Sequence, residues 1–224
     1  MVIRYGVISD IHEDPRVVVP ALEVLKDEGV DKLIVNGDIG GNYGSLEKSQ
    51  QYTGFLLEQV AKSGLESFVQ PGSHETLLGY GPVIEHFSDK YSNVVDVTKT
   101  PKVEEDGHSL VFLPGSDFLS GGEYQIGNGK IPSGRFFKNG DSLVKFDNLD
   151  QYVGAINQKI VDHAFQYSNM GDLKDLVTAP EKTVVVCHVP RKFDNPDVGV
   201  DMAEFGLAMD DFKLNDQDVK KDSV

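Results

Sequence analysis

The sequence predicts an α/β fold built around a parallel β-sheet. In the first half of the chain, apolar runs rich in β-branched residues alternate with longer amphipathic segments. This βαβαβ order is typical of parallel strands joined by right-handed helical crossovers. A length of 224 residues is enough to bury a substantial core. We therefore expect one domain over residues 1–224.

The first half of the chain is predicted to contain four strands and three helices. Asp14 and Pro15 have the character of an N-cap and a first helical position, and Gly29 ends the helix that follows them. The predicted strands are residues 2–9, 31–37, 65–70 and 93–97, and the predicted helices are residues 15–29, 45–64 and 79–90.

The second half is predicted to be less regular. Residues 102–115 have the pattern of a β-hairpin that turns at Asp106 and Gly107. The glycine-rich stretch 114–148 is expected to be an irregular insertion, either without a role of its own or closing over a site as a lid. The remaining predicted elements are an amphipathic helix over residues 147–167, a buried strand over residues 182–188, and an acidic tail with at most a short helix.

Composition and charge exclude several classes of protein. The net charge of −15 argues against duplex nucleic acid as a partner, because neutralising phosphates requires clustered Lys and Arg. No apolar run approaches the roughly 20 residues that span a bilayer, so we expect no membrane partner. The single Cys187 cannot form an intramolecular disulfide, and the N-terminus reads as a strand rather than a leader peptide. These features predict a cytoplasmic location.

Four predicted strands run into residues that bind metals. The first strand is followed by Asp10 and His12, the second by Asp38, the third by His74, and the late strand by His188. Ligands of open α/β sheets bind at the carboxyl ends of the strands. Carboxylates and imidazoles together suit divalent ions such as Mn, Fe or Zn. On an extended chain the D-x-H spacing points both side chains the same way, so we expect Asp10 and His12 to share an ion.

Taken singly, each of these residues has an ordinary explanation. Asp10 has the character of a turn cap, Asp38 follows Gly37 in common turn chemistry, and a histidine in a loop is usually solvated. The neighbouring Cys187 is expected to be a structural residue, because adjacent strand residues face opposite ways. The ordered recurrence of metal-binding residues at four strand ends is what favours a metal site.

The blocks SDIH, NGDIG, PGSHE and CHVP, in this order over residues 1–190, resemble the motifs of the calcineurin-like metallophosphoesterase family. The resemblance implies a metallophosphoesterase-type β-sandwich flanked by helices. It also implies two divalent metal ions and hydrolysis of a phosphate ester, either a phosphomonoester or a phosphodiester. The alternative that stays open is a catalytically silent scaffold of the same fold that binds proteins.

The resemblance also implies a role for each matching residue. Asp10, His12 and Asp38 correspond to ligands of a first ion, with Asp38 shared with a second. His74 corresponds to the catalytic residue that contacts substrate and protonates the leaving oxygen. The second ion would be held by His188 and by Ser73, which stands where the family has an asparagine.

The end of the sequence departs from the family pattern. Arg191 follows the CHVP block and is expected either to contact the substrate phosphate or to form a solvated pair with Lys192. The family's final G-H-x-H block, which completes both metal sites, does not occur. We therefore expect the fold to lack its C-terminal part in this chain, and the chain to be the N-terminal portion of a longer protein that carries those histidines.

Overall fold

The computed structural model describes residues 2–12, 14–40, 44–116, 122–127, 131–159 and 163–188, and the backbone of residues 213–214 and 217–218. Met1–His188 and Val189–Val224 are two separate compact units. Within the described residues, no helix has the length and apolar character required to cross a membrane.

The described residues form the following elements. The helices are α1 (Val18–Asp27), α2 (Leu46–Ser63), α3 (Leu77–Lys90), α4 (Leu149–Asn157) and α5 (Leu173–Leu176). The strands are β1 (Tyr5–Ile8), β2 (Lys32–Asn36), β3 (Glu66–Gln70), β4 (Val94–Asp96), β5 (Lys102–Glu105), β6 (His108–Leu113), β7 (Tyr124–Gly127), β8 (Gly134–Asn139), β9 (Ser142–Phe146), β10 (His163–Asn169), β11 (Thr183–Cys187), β12 (Lys213–Leu214) and β13 (Gln217–Asp218).

The first sheet confirms the predicted parallel βαβαβ unit. Its strands run in the order β1-β2-β3-β4, and every neighbouring pair is parallel. The helix ends follow the sequence signals. Ser45 accepts a hydrogen bond from the Lys48 N–H at the start of α2, and Gly64, with φ of 76°, ends that helix in the left-handed conformation that glycine adopts without strain.

Each face of this sheet packs against a different layer. Leu33 and Val35 of β2 belong to the core shared with the helices. Ile34, between them, and Phe68 of β3 belong to a second core, shared with β6. Alternation along the strands thus fills two layers, which is how a sheet buried on both sides forms a sandwich.

The second sheet has the order β11-β6-β5. The predicted hairpin is confirmed: β5 and β6 are antiparallel, and Gly107 turns between them with φ of 93°. The predicted late strand is present as β11, and it pairs in parallel with β6. Its predicted burial is wrong, because β11 lies at the edge of the sheet and Val184 and Val185 are 52% and 43% exposed. The rings of Phe68 and Phe112 lie 5.7 Å apart and join the two sheets.

The third sheet corrects two predictions. The glycine-rich stretch 114–148 is not irregular throughout, because it contains β7, β8 and β9. The predicted helix over residues 147–167 is wrong in its second half, where β10 inserts between β7 and β8. Pairing on both edges outweighs the weak helical pattern of this segment. In the tail, where no strand was expected, β12 and β13 form a short antiparallel pair.

The carboxyl ends of the first two sheets meet at one edge of the sandwich. The side-chain Nδ2 of Asn36, at the end of β2, donates a hydrogen bond of 3.2 Å to the carbonyl of Cys187, at the end of β11. His188 is therefore held beside the loops that follow β1, β2 and β3.

Candidate metal centre

The loops after β1 and β2 have an unusual backbone at the predicted metal ligands. Asp10, His12 and Asp38 have φ of 56°, 48° and 49°, in the left-handed region. The expectation of an extended D-x-H segment is therefore wrong, because β1 already ends at Ile8. Two hydrogen bonds hold this geometry, from the Asp10 N–H to the Gly37 carbonyl at 3.1 Å and from the His12 N–H to the Asp38 carbonyl at 3.0 Å. Backbone strain of this kind clusters at functional sites.

The carboxylate of Asp38 is the centre of the arrangement. Its side chain is 4% exposed. It accepts hydrogen bonds from the backbone N–H of His74 at 2.8 Å and from the hydroxyl of Ser73 at 2.9 Å. Three imidazoles face its Oδ2 through their Nε2 atoms, at distances of 3.3 Å for His188, 3.6 Å for His12 and 3.9 Å for His74. One buried carboxylate thus contacts residues from three different loops.

His188 is oriented by a backbone carbonyl. Its Nδ1 lies 2.7 Å from the carbonyl oxygen of Asn36, which can only accept, so Nδ1 carries a proton and Nε2 points at Asp38. Burial lowers the pKa of His188, but the hydrogen bonds to Asp38 and to Asn36 outweigh it and raise the pKa to about 9.

The same contacts set the ionisation of Asp38. Burial raises the pKa of this carboxyl. The hydrogen bonds from His188, from the backbone of His74 and from Ser73 lower the pKa by a larger amount, so it lies below its usual value. Asp38 is therefore ionised at neutral pH, and an anionic, acceptor-only carboxylate is what a shared metal ligand requires.

Two groups of side chains could hold a metal ion. His12, Asp38 and His74 form one group, and Asp10, Asp38 and His188 form the other. In each group the candidate ligand atoms all lie within 4.8 Å of one another. A mixture of carboxylate oxygen and imidazole nitrogen fits ions such as Mn, Fe or Zn. The residues present therefore fit a metal centre, and Asp38 belongs to both groups.

The grouping differs from the one that the family resemblance implies. His12 lies with His74 rather than only with Asp10, although its Nε2 is also 3.7 Å from Asp10 Oδ1. The rings of His12 and His74 meet edge to face, with centroids 4.7 Å apart. The His74 side chain is 57% exposed and therefore open to a ligand from solvent. Arg191 lies outside the described residues.

Two glycines allow the loops to approach so closely. A Cβ atom on Gly72 would lie 2.6 Å from the backbone nitrogen of Asp38 and 2.8 Å from Nε2 of His188. A Cβ atom on Gly37 would lie 2.7 Å from Nδ1 of His188, and Gly37 also has φ of 82°. Side chains at either position would collide with the candidate ligands.

Glu75 has a role that the sequence does not reveal. Its buried carboxylate accepts hydrogen bonds from the backbone N–H groups of Asp38 at 3.0 Å, of Gly40 at 2.9 Å and of Gly72. It thus joins the loop after β2 to the loop after β3. Burial raises the pKa of Glu75, yet all three neighbours are donors and fit the ionised form. The acid of the PGSHE block positions backbone and forms no described contact with the His74 side chain.

Asn36 is a second residue whose role emerges only from the structure. Its carbonyl accepts hydrogen bonds from Nδ1 of His188 and, at 3.0 Å, from the hydroxyl of Ser9. Its side chain accepts from Nε2 of Gln70 and donates to Cys187. The only sequence signal is its place directly before Gly37 and Asp38 at a strand end. Such supporting contacts orient metal ligands and tune them.

Comparisons with known proteins indicate the family of the chain. A family model described as calcineurin-like phosphoesterase matches residues 3–219. No curated protein matches at a significant level. The crystal structure of TT1561 of Thermus thermophilus aligns over 93% of this chain and 77% of its own, with 14% sequence identity and a TM-score of 0.50. A second crystal structure aligns over 86% of this chain and 74% of its own, with 14% identity and a TM-score of 0.49.

Proposed function

Because this chain belongs to the calcineurin-like phosphoesterase family, whose members are metal-dependent phosphoesterases, we propose that it hydrolyses phosphate esters at a centre of two divalent ions. The observation that carries this proposal is the position of Asp38 in both groups of candidate ligand atoms. A carboxylate shared by two ligand groups is the arrangement expected of a residue that bridges two ions.

The other residues divide between the two ions. Asp10 and His188 would hold one ion together with Asp38, and His12 and Asp38 would hold the other, at whose edge His74 lies. Ser73 is proposed as a weak ligand of an ion held by Asp38, because its hydroxyl lies 2.9 Å from Oδ2 of that residue. When bound, two such ions supply a nucleophile by lowering the pKa of water, and they clamp the phosphoryl oxygens.

His74 is proposed to donate a proton to the leaving oxygen. Among the three imidazoles that face Asp38, it is the most distant, at 3.9 Å, and at 57% its side chain is more exposed than those of the other two. An exposed imidazole at the rim can reach a substrate, and proton donation requires hydrogen-bond distance to the departing oxygen. Its backbone N–H, bonded to Asp38 at 2.8 Å, fixes the position of the residue relative to the metal ligands.

The test combines metal content with turnover. Purified protein is expected to bind Mn²⁺ and to hydrolyse 4-nitrophenyl phosphate or bis(4-nitrophenyl) phosphate, and the preferred compound distinguishes a monoesterase from a diesterase. His74→Ala should lower turnover by about 100- to 10,000-fold, the usual contribution of a general acid, and leave metal content near normal. His86→Ala, on the exposed side of α3, is the matched control.

Three outcomes would contradict parts of this proposal. Loss of metal in His74→Ala would make His74 a ligand instead of the acid. Equal turnover in His74→Ala and His86→Ala would show that His74 takes no part in the reaction. Protein that binds no metal and hydrolyses neither compound would overturn the enzymatic function and favour the silent scaffold.

A further inference from the structure

A cavity of 680 Å³ lies at the same edge of the sandwich as the candidate metal centre. Residues that follow β4 and residues that end β6 form one side of it, among them Val97 and Leu113. Strands β8, β9 and β10 form the other side and contribute Arg135, Lys145 and Gln166. None of these residues belongs to the candidate ligand groups.

The cavity and the metal centre are neighbours along both sheets. β4 pairs with β3, which leads into the loop of Ser73. In the second sheet Leu113 is directly opposite Cys187, the residue before His188. The N–H of Gly115 then donates a 2.8 Å hydrogen bond to the carbonyl of Pro71, two residues before Ser73. Since ligands of such sheets bind outside the carboxyl ends of the strands, a substrate with its phosphate at the metal centre can extend into the cavity.

The charges of the cavity indicate what it can bind. Nε of the half-buried Arg135 donates a 3.0 Å hydrogen bond to Oε1 of Gln166, a neutral partner. Among the described residues, neither Arg135 nor Lys145 forms an ion pair, whereas Lys99 at the same cavity is paired with Glu85 at 2.6 Å. Arg135 is close enough to Glu85 and to the buried Asp96 for its charge to favour the ionised form of both carboxyls, so carboxylates balance part of its charge without a direct ion pair.

Carboxylates also line the cavity without neutralising these cations. They are Asp147, Asp172 and Asp175. Asp172 accepts hydrogen bonds from the hydroxyl of Ser133 and from its backbone N–H, at 3.3 Å in the second case. Among the described residues none of the three forms an ion pair with Arg135 or Lys145, and Glu85 and Asp96 act on Arg135 without an ion pair. The terminal nitrogens of Arg135 therefore have no carboxylate at ion-pair distance in this part of the chain.

We propose that this cavity binds the alcohol part of the phosphate ester, and that Arg135 selects esters whose alcohol part carries a second anionic group, a carboxylate or a phosphate. The inference rests on the proposed function, because it takes the metal centre as the place of the reacting phosphate. Gln166 holds the guanidinium at Nε and leaves its two terminal nitrogens to bind the anion, and a paired, charge-assisted contact of this kind is strong.

Binding of phosphonates, which cannot be hydrolysed, tests the proposal independently of activity. Affinities of the Mn²⁺-loaded protein are measured calorimetrically for benzylphosphonate, 4-carboxybenzylphosphonate and p-xylylenediphosphonate. In the wild type the two compounds with a second anion should bind about tenfold more tightly than benzylphosphonate, the size expected of one charge-assisted contact that is partly exposed. Arg135→Gln should abolish this advantage, and Arg135→Lys should retain part of it.

Lys138→Gln is the matched control, because Lys138 lies on the same strand, is exposed and does not line the cavity. It should keep the full advantage of the second anion. Lys145→Gln, at an exposed position of the cavity, should reduce the affinity advantage of the compounds with a second anion. If Arg135→Gln does not fold, Lys145→Gln is measured in its place. Of the two compounds that carry a second anionic group, the one that binds with higher affinity identifies this group as a carboxylate or as a phosphate.

The outcomes separate this inference from the proposed function. The inference is overturned if the second anion raises affinity equally in the wild type, Arg135→Gln and Lys138→Gln. It is also overturned if the second anion does not raise affinity in the wild type, even if 4-nitrophenyl phosphate is hydrolysed. An Arg135-dependent advantage in protein without hydrolytic activity supports the anion site and overturns only the function.

Discussion

Replacing Glu75 by Gln tests how the two loops of the candidate metal centre are held together. Glu75 is 2% exposed, and its carboxylate accepts from the backbone N–H groups of Asp38, Gly40 and Gly72. Gln has the same shape but only one accepting oxygen. If that oxygen faces Asp38 and Gly72, the new NH₂ group faces the N–H of Gly40. Two hydrogen-bond donors then face each other, and neither has an acceptor.

The size of the effect follows from these contacts. A buried donor that loses its acceptor costs about 1–3 kcal/mol, and Glu75→Gln leaves the N–H of Gly40 and the new amide N–H groups without acceptors. We expect a loss of about 3 kcal/mol in the free energy of unfolding. For a chain of this length that corresponds to a fall of about 6–12 °C in Tm. Because the loop of Asp38 loosens, Mn²⁺ affinity should also fall about 10- to 100-fold.

The assay is thermal unfolding of the metal-free protein by circular dichroism, with Mn²⁺ affinity measured by calorimetry. Glu58→Gln is the control, because Glu58 lies on the surface of α2 and forms an exposed ion pair with Lys62, so its replacement should leave Tm and metal affinity nearly unchanged. A Tm of Glu75→Gln within about 2 °C of the wild type, with unchanged metal affinity, would refute the role assigned to Glu75.

Four further predictions concern the candidate metal centre. Mn²⁺ binding should release nearly one proton from His188 near neutral pH, because an imidazole binds metal only when neutral and this pKa is raised to about 9. The apparent affinity for Mn²⁺ should then rise with pH and level off near pH 9. An affinity independent of pH would contradict a protonated His188 paired with Asp38 in the metal-free protein. In the metal-free protein the ion pair of His188 with Asp38 stabilises the fold fully between the ordinary pKa values of the two groups, 3.8 and 6.5. This contribution to the free energy of unfolding should be lost as the pH rises through about 9, and also as the pH falls below 3.8. Gly72→Ala should abolish Mn²⁺ binding, because its Cβ would lie 2.6 Å from the nitrogen of Asp38; Gly154→Ala, on α4 with open space around it, should leave binding intact and stabilise the fold by about 0.5–1 kcal/mol. Ser73→Ala should weaken one of two Mn²⁺ sites selectively, as measured by metal content after dialysis, and equal retention of both ions would exclude Ser73 from the ligand set.

The strand ends could be predicted from the sequence for a simple physical reason. Parallel neighbours deliver the residues that follow them to one edge, so recognising β1, β2 and β3 already placed Asp10, Asp38 and His74 near one another. His188 followed from the apolar, β-branched run of β11. The caps at Ser45 and Gly64 were equally local signals, since each depends on the conformation of a few consecutive residues.

The remaining features depend on contacts between distant parts of the chain. β10 is a strand because β7 and β8 offer it partners on both edges, and its own sequence carries a weak pattern. Glu75 binds N–H groups up to 37 residues away, and no local motif distinguishes that role from a helix-capping acid. The left-handed backbone at Asp10 and His12 was also missed, because these residue types more often occupy ordinary conformations.

The left-handed backbone at Asp10, His12 and Asp38 places the site in conflict with thermal stability. Each of these residues costs roughly 1–2 kcal/mol relative to an ordinary conformation, a penalty that glycine escapes. Directed evolution for heat resistance alone would therefore favour glycine at Asp10 and His12, whose side chains are far more exposed than that of Asp38, and would remove two candidate metal ligands with it. A library of this protein selected for melting temperature should be enriched in variants that fold better and no longer bind metal.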